Sequence, residues 1–192
     1  MTNGNTILKH RILLLFLLLG GVGILQAQRV ALKSDLLLWA TTTPNAGVET
    51  ALGHHLTLSA TVAYNAWKFS GSTRLNLYLA EPELRYWFCR RFEGHFVGVH
   101  AHYAHYNIGG LSFISGLKDR LVQGDLYGGG LTYGYHWAIG ERWGLEAVIG
   151  GGYNRLEYDK YRCAECDERI GTFVQNYFGV TRAGVSLIYF LR

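Results

Sequence analysis

The sequence predicts an eight-stranded antiparallel transmembrane β-barrel, and three observations predict it. Beyond residue 29, apolar residues recur with a period of two rather than 3.6. The chain carries 25 glycines and 2 prolines among 192 residues, with charged residues at 17 % and aromatics at 14 %. That mixture excludes a disordered chain, a collagen-like repeat and a charge-studded coiled coil. The connections between alternating segments are mostly short and long by turns, as in outer-membrane barrels with tight turns at one rim and loops at the other.

A leader precedes the strands. Lys9, His10 and Arg11 stand before the apolar run from Ile12 to Leu19, and Leu25-Gln26-Ala27 closes the segment, the pattern of a signal peptide cleaved after Ala27. The run is shorter than the roughly 20 residues a spanning helix needs. Residues 28–192 then form one barrel domain of 165 residues, exported to the outer membrane. Loss of the leader's cations lowers the net charge from +4 to +2, which leaves no basic stripe for nucleic acid.

The strands follow in order. The first sets Val30, Leu32, Leu36 and Leu38 against Lys33, Asp35 and Leu37, and the second sets Ala46, Val48, Thr50 and Leu52 against Asn45, Gly47 and Glu49. The third sets Leu56, Leu58, Ala60, Val62 and Tyr64 against Thr57, Ser59, Thr61 and Asn65. In the fourth, Ala80, Leu84, Tyr86 and Phe88 oppose Glu81, Glu83 and Arg85; Pro82 lacks a ladder donor and is expected at a strand start or bulge. The fifth opposes Val97, Val99, Ala101 and Tyr103 to Gly98, His100 and His102. The sixth opposes Tyr127, Leu131, Tyr133, Tyr135 and Trp137 to Gly128, Gly130, Thr132, Gly134 and His136. The seventh opposes Trp143, Leu145, Ala147, Ile149 and Tyr153 to Gly144, Glu146, Gly150, Gly152 and Asn154. The eighth opposes Ala183, Val185, Leu187, Tyr189 and Leu191 to Arg182, Gly184 and Ser186. The connections around 53–55, 90–94 and 139–142 are short and those around 68–77, 107–121 and 159–177 long, with Thr41 to Pro44 breaking the pattern.

Alternation alone does not say which face points inward, because a soluble lipocalin-like barrel alternates identically. Three features turn the apolar face to lipid. Glycines gather on the polar face, where an eight-strand lumen is crowded. Aromatics cluster near strand ends, with Tyr86, Phe88, Tyr135, Trp137 and Trp143 toward the turns and Tyr64, Tyr78, Tyr103, Tyr127 and Tyr153 toward the loops, where two membrane interfaces would lie. Closure also removes the aggregation-prone edges of these strands.

The chain resembles a family of small outer-membrane proteins of Bacteroidota-type Gram-negative bacteria, catalogued as a domain of unknown function and often encoded near fimbrial genes. The resemblance rests on Thr43-Pro44-Asn45-x-Gly47-x-Glu49, Tyr64-Asn65-x-Trp67, Pro82-Glu83-x-Arg85-Tyr86-Trp87 and Gly94-His95-Phe96-x-Gly98-x-His100. Tyr127-Gly128-x-Gly130-x-x-Tyr133-Gly134-Tyr135-x-Trp137, Tyr158-Asp159-x-Tyr161-x-Cys163-x-x-Cys166 and Asn176-Tyr177-Phe178-Gly179-x-Thr181 extend it over nearly the whole mature chain. Asp35 and Val180 depart from the family, which more often has Asn and Pro there. The resemblance implies a barrel and a location, and brings no catalytic residues.

The candidate chemistry lies on the polar face. Lys33, Arg85 and Arg182 face Asp35, Glu49, Glu81, Glu83 and Glu146, a set expected to interlock and fill the lumen, with a proton or ion path as the alternative. His100, His102 and His136 are expected as hydrogen-bonded lumen histidines; a metal site is the rival, because imidazoles at i and i+2 project to one side. Cys163 and Cys166 suggest a loop disulfide, or a surface metal or partner site, with Cys89 at the other rim. No cofactor motif is present. The expected role is a structural or interaction barrel without catalytic activity, embedded in outer-membrane lipid, whose loops contact fimbrial, surface-polymer or host partners. The alternative is a lipid hydrolase, using His105 with Ser112 or Ser115, or a small transporter.

Overall fold

Period-two alternation closes the sheet on itself. A computed structural model describes residues 30–68, 74–109, 121–161 and 169–191. It contains strands β1 (Val30–Asp35), β2 (Asn45–Ala51), β3 (Leu56–Lys68), β4 (Arg74–Trp87), β5 (Gly94–Gly109), β6 (Leu121–Ala138), β7 (Trp143–Tyr161) and β8 (Arg169–Leu191), with a short helix α1 (Leu36–Ala40) after β1. Each strand pairs antiparallel with the next and β8 returns to β1, giving a closed eight-stranded barrel. The tight connections 52–55, 88–93 and 139–142 share what we term the lower rim; α1 and the connections after β3, β5 and β7 share the upper one.

The polarity is inverted relative to a soluble protein. Glu49, Arg85 and Glu146 are 0 % exposed, whereas Leu131 is 67 % and Ile149 57 % exposed. Tyr64, Tyr78, Tyr103, Tyr127 and Tyr153 are exposed at one end of this apolar band, and Tyr86, Phe88, Trp137 and Trp143 at the other. From Leu56 to Tyr64 a tilted strand rises roughly 20–25 Å, the height of the apolar belt on a transmembrane barrel.

Three expectations are corrected. β1 stops at Asp35, because that residue turns into a helix cap: its Oδ1 accepts hydrogen bonds from the backbone N–H groups of Leu37 at 2.8 Å and Leu38 at 3.3 Å. Leu36 and Leu38 therefore lie on α1 rather than in a strand; leucine suits either state and the cap decides. The first upper connection is thus 36–44, so Thr41 to Pro44 does not interrupt the short–long alternation. Finally, Pro82 sits mid-strand without a bulge. It pairs with Ala60 of β3, while the ladder to β5 lapses between Ala80↔Tyr103 and Glu83↔His100 and resumes in the same register. The interruption on the β5 side alone is where the missing N–H would have pointed.

The strands also run further than the alternation predicts. β4 begins at Arg74, β5 continues to Gly109, β7 to Tyr161, and β8 starts at Arg169, so much of the expected upper loops is ladder. β1 and β2 stay short, and side chains seal their upper corner. The Asn45 amide accepts from the Asp35 N–H at 2.6 Å and donates to the Asp35 carbonyl at 2.9 Å, standing in for the next rung of the β1–β2 ladder. Thr42, in the left-handed region with φ of 56°, offers its carbonyl to the Trp67 indole N–H at 2.8 Å and to the Asn65 amide at 3.3 Å. Asn45→Ala leaves both Asp35 backbone groups unpaired and is expected to lower stability by about 1–3 kcal/mol. Urea unfolding in lipid vesicles measures this, and an unchanged midpoint would contradict it.

Candidate functional site in the barrel lumen

The lumen is filled in layers, and the lowest is aromatic. Period two carries Trp87 to the same side as Glu83 and Arg85, and Phe96 to the same side as His100. Trp87 lies 4.7 Å from Phe96 and 5.9 Å from Phe92 between ring centroids, and Phe92 lies 5.3 Å from Phe190. Phe92 is buried although its φ of 64° is left-handed, a backbone cost offset by ring burial in this floor. Ile188, Ala31, Ala51 and Val148 complete the seal.

Above it sits an ionic layer. Lys33 Nζ donates to Glu49 Oε2 at 2.9 Å and to Glu146 Oε1 at 2.7 Å. Arg85 Nη1 donates to Glu49 Oε2 at 2.9 Å and Glu146 Oε2 at 2.8 Å, and its Nε donates to Glu83 Oε2 at 2.7 Å. The Thr57 hydroxyl donates to Glu49 at 2.6 Å, Thr132 donates to Glu83, and the Trp87 indole donates to Thr57 at 2.9 Å. The Arg85 guanidinium also stacks 4.4 Å over the Phe96 ring, joining this layer to the floor. Room is tight: a Cβ on Gly98 would come 2.6 Å from Glu83 Oε1, and one on Gly134 would come 2.6 Å from Phe96 Cε1.

A third layer contains Arg182, paired with Glu81 and lying 3.2 Å from Glu83. His100 and His102 stack at 5.5 Å, His100 Nε2 meeting the Thr181 hydroxyl at 3.0 Å and His102 Nε2 meeting Asn154 Oδ1. His136 does not join them. His100 pairs in register with Gly130, six positions above His136, whose ring instead packs on Trp87 and Phe190. Asp35 caps α1 with its carboxylate and at the same time lines the lumen cavity beside Lys33, Glu81 and Arg182. Among the described residues no group of three or more His, Cys, Asp or Glu is placed to hold a metal. A cavity of about 350 Å³ lies over this layer.

On the outer face, above the upper aromatic ring, His105 Nδ1 lies 2.9 Å from Asp125 Oδ1, which also accepts from the Tyr103 hydroxyl at 2.7 Å. The Tyr103 hydroxyl first, then His105, holds the Asp125 carboxyl below its ordinary value. Ser112, Ser115, Cys163, Cys166 and the leader lie outside the described residues. Cys89 is an exposed free thiol in the 88–93 turn.

Two outcomes check these interactions. Arg85→Leu leaves three carboxylates facing one another and is expected to cost about 3–5 kcal/mol, measured by urea unfolding in vesicles. Arg85→Leu combined with Glu146→Leu should recover part of that loss, and purely additive losses would show that the residues are not coupled. Because the folded Asp125 value is depressed, its contribution is complete above the ordinary carboxylate range and is lost as pH falls through the folded value. Wild type should therefore melt above Asp125→Asn at pH 7 and converge with it in acid; a gap independent of pH would contradict the ionic account.

A family model described as "Protein of unknown function (DUF3575)" matches residues 12–191. No curated protein matches the chain. Among solved structures, the chain is similar to the crystal structure of the N-terminal β-barrel domain of Pseudomonas aeruginosa OprF, at 14 % identity and a TM-score of 0.43, over 85 % of this chain and 96 % of that one.

Proposed function

The chain belongs to the DUF3575 family of proteins of unknown function, and within it we propose an outer-membrane barrel, exported by the leader 1–27, that acts as a structural and interaction module without catalysis. Its upper strand extensions and connections would contact fimbrial, surface-polymer or host partners. The observation that carries this reading is the filled lumen: an apolar floor of Trp87, Phe92, Phe96 and Phe190 lies beneath a layer of fully buried ion pairs. Such a plug opposes free diffusion, so what the barrel offers is surface. The apolar band between two aromatic rings supports the membrane setting. The resemblance to barrels encoded near fimbrial genes supports the partner class.

Planar-bilayer recordings of the refolded barrel should show no steady conductance, and ohmic steps would overturn the plug. Replacing residues 110–120 by a short Gly-Ser connection should abolish surface adhesion or co-fractionation with fimbriae. The same variant should keep its compact unboiled migration in gels. Adhesion that survives this and equivalent replacements of the other upper connections would remove the interaction reading.

One observation favours a second reading. The His105–Asp125 pair on the outer face has the arrangement that orients a general base, so a lipid hydrolase drawing its nucleophile from Ser112 or Ser115 is the alternative. Release of fatty acid from phospholipid by folded wild type, lost in His105→Ala, would establish it; no release would eliminate it.

A further inference from the structure

The barrel wall has a gap on one side. β1 accompanies β8 from Val30↔Leu191 to Asp35↔Ser186 and no further. β8 continues upward on β7, and its Phe178 pairs with Tyr153 of the upper aromatic ring. Between Ser186 and Phe178 the edge of β8 facing β1 therefore has no strand beside it, over a height of roughly 20 Å for a tilted strand. Among the described residues no backbone hydrogen bond covers that edge. Helix α1 lies against β8 there instead, with Leu36, Leu37 and Trp39 exposed.

The 350 Å³ cavity over the ionic layer reaches through this gap. Its lining joins inward-facing His102 and Arg182 to Leu38 of α1 and to Val180 and Ala183. Ala183 pairs with outward-facing Ile149, and Val180 is 58 % exposed, so the space runs from the lumen to the outside. The register shift at Gly150/Gly151 falls at the same height.

The two ends of this space differ chemically. At the floor, His102 is 6 % exposed and its Nδ1 has no hydrogen-bond partner; the polar lining there also includes Asn154, Arg182, Lys33, Asp35 and Glu81. Toward the mouth and the upper wall the lining is mostly apolar, with Leu38, Val180, Ala183, Leu79 and Leu126 beside Thr181. A fully polar ligand would leave the apolar mouth uncovered, and a bare hydrocarbon would leave the His102 nitrogen and the β8 edge amides unpaired in a low-dielectric setting. A molecule with a polar head and an acyl chain satisfies both ends. The volume falls in the range of small-molecule sites, roughly 300–1,000 Å³. We propose that the gap between β8 and α1 is a lateral portal through which an acyl-chain amphiphile enters from the outer leaflet. The head sits toward His102, and the chain lies along Leu38, Val180 and Ala183.

This inference rests on the outer-membrane reading, and the test separates the two. The full chain, purified from membranes, is examined by native mass spectrometry with sodium dodecanoate or with 1-lauroyl-lysophosphatidylethanolamine, one probe for a free fatty acid and the other for a lipid headgroup. Wild type should retain one molecule of at least one probe per barrel. Ala183→Trp, a substitution at an exposed position in the mouth, and His102→Phe, at the floor, should each lower retention at least tenfold. Absence of a one-to-one adduct on wild type, or an adduct undiminished in both variants, overturns the portal. Gel migration of the same samples, unboiled against boiled, reports the barrel independently: a heat-dependent shift without an adduct overturns the portal alone, and no shift overturns the membrane reading as well.

Discussion

The Arg85 guanidinium is the constraint around which the lumen is arranged. A cation with no solvent contact needs compensating charge at hydrogen-bond distance on several sides. Here β2, β4 and β7 each supply a carboxylate, from Glu49, Glu83 and Glu146, while Lys33 of β1 ties two of them together. The cluster draws on strands from opposite walls, so it fixes relative register across the barrel as well as within a hairpin. A one-residue slip in any of these strands would turn its charge to lipid and leave the others unpaired. In this layer and the one above it four glutamates face three cations, and the excess is spread over hydroxyl donors: Thr57 serves Glu49 and Thr132 serves Glu83.

The floor beneath the cluster depends on it in turn. Phe96 lies under the Arg85 guanidinium and against Trp87, whose indole N–H reaches Thr57, which itself donates to Glu49. Apolar packing and ion pairing are therefore one connected structure, with Phe96 and Trp87 as the joint. Water entering from below would have to displace aromatic rings before meeting a charge. Burial of this kind makes each ion pair stronger and each loss of a partner more costly.

Much of this was legible in the sequence, because alternation in a closed barrel assigns a face to every residue. Lys33, Glu49, Arg85, Glu146 and Arg182 could be placed inside from parity alone, and the structure brings them to the lumen. The aromatic floor obeys the same parity, since Trp87 continues the Glu83, Arg85 face and Phe96 continues the His100 face. It is hidden in the sequence because an aromatic residue near a strand end reads equally well as a membrane girdle. Relative height is the second thing parity omits. His136 shares a face with the other histidines, yet lies well below them, since height depends on pairing offsets between strands rather than on spacing along one. The end of β1 was illegible for a third reason: Leu36, Leu37 and Leu38 fit a strand as well as a helix, and the decision rests on the Asp35 carboxylate turning back to α1.

That turn has consequences for the wall. An Asp35 carboxylate spent on α1 ends β1 after six residues, while β8 extends for 23. In the hydrocarbon region of a bilayer the exposed edge left by such a mismatch is costly, because no water is present to pair with it. Part of the cost is met at the corner, where the Asn45 amide replaces a rung against Asp35 and the Thr42 carbonyl is taken up by Trp67 and Asn65. These contacts stop at the β1–β2 hairpin and leave the β8 edge above Ser186 untouched. The fold seals one side of the notch with specific side chains, while on the other only α1 lies against a β8 edge without backbone partners among the described residues, over a cavity with an unpaired buried imidazole nitrogen. The opening is thus a product of the same Asp35 cap that ends the strand.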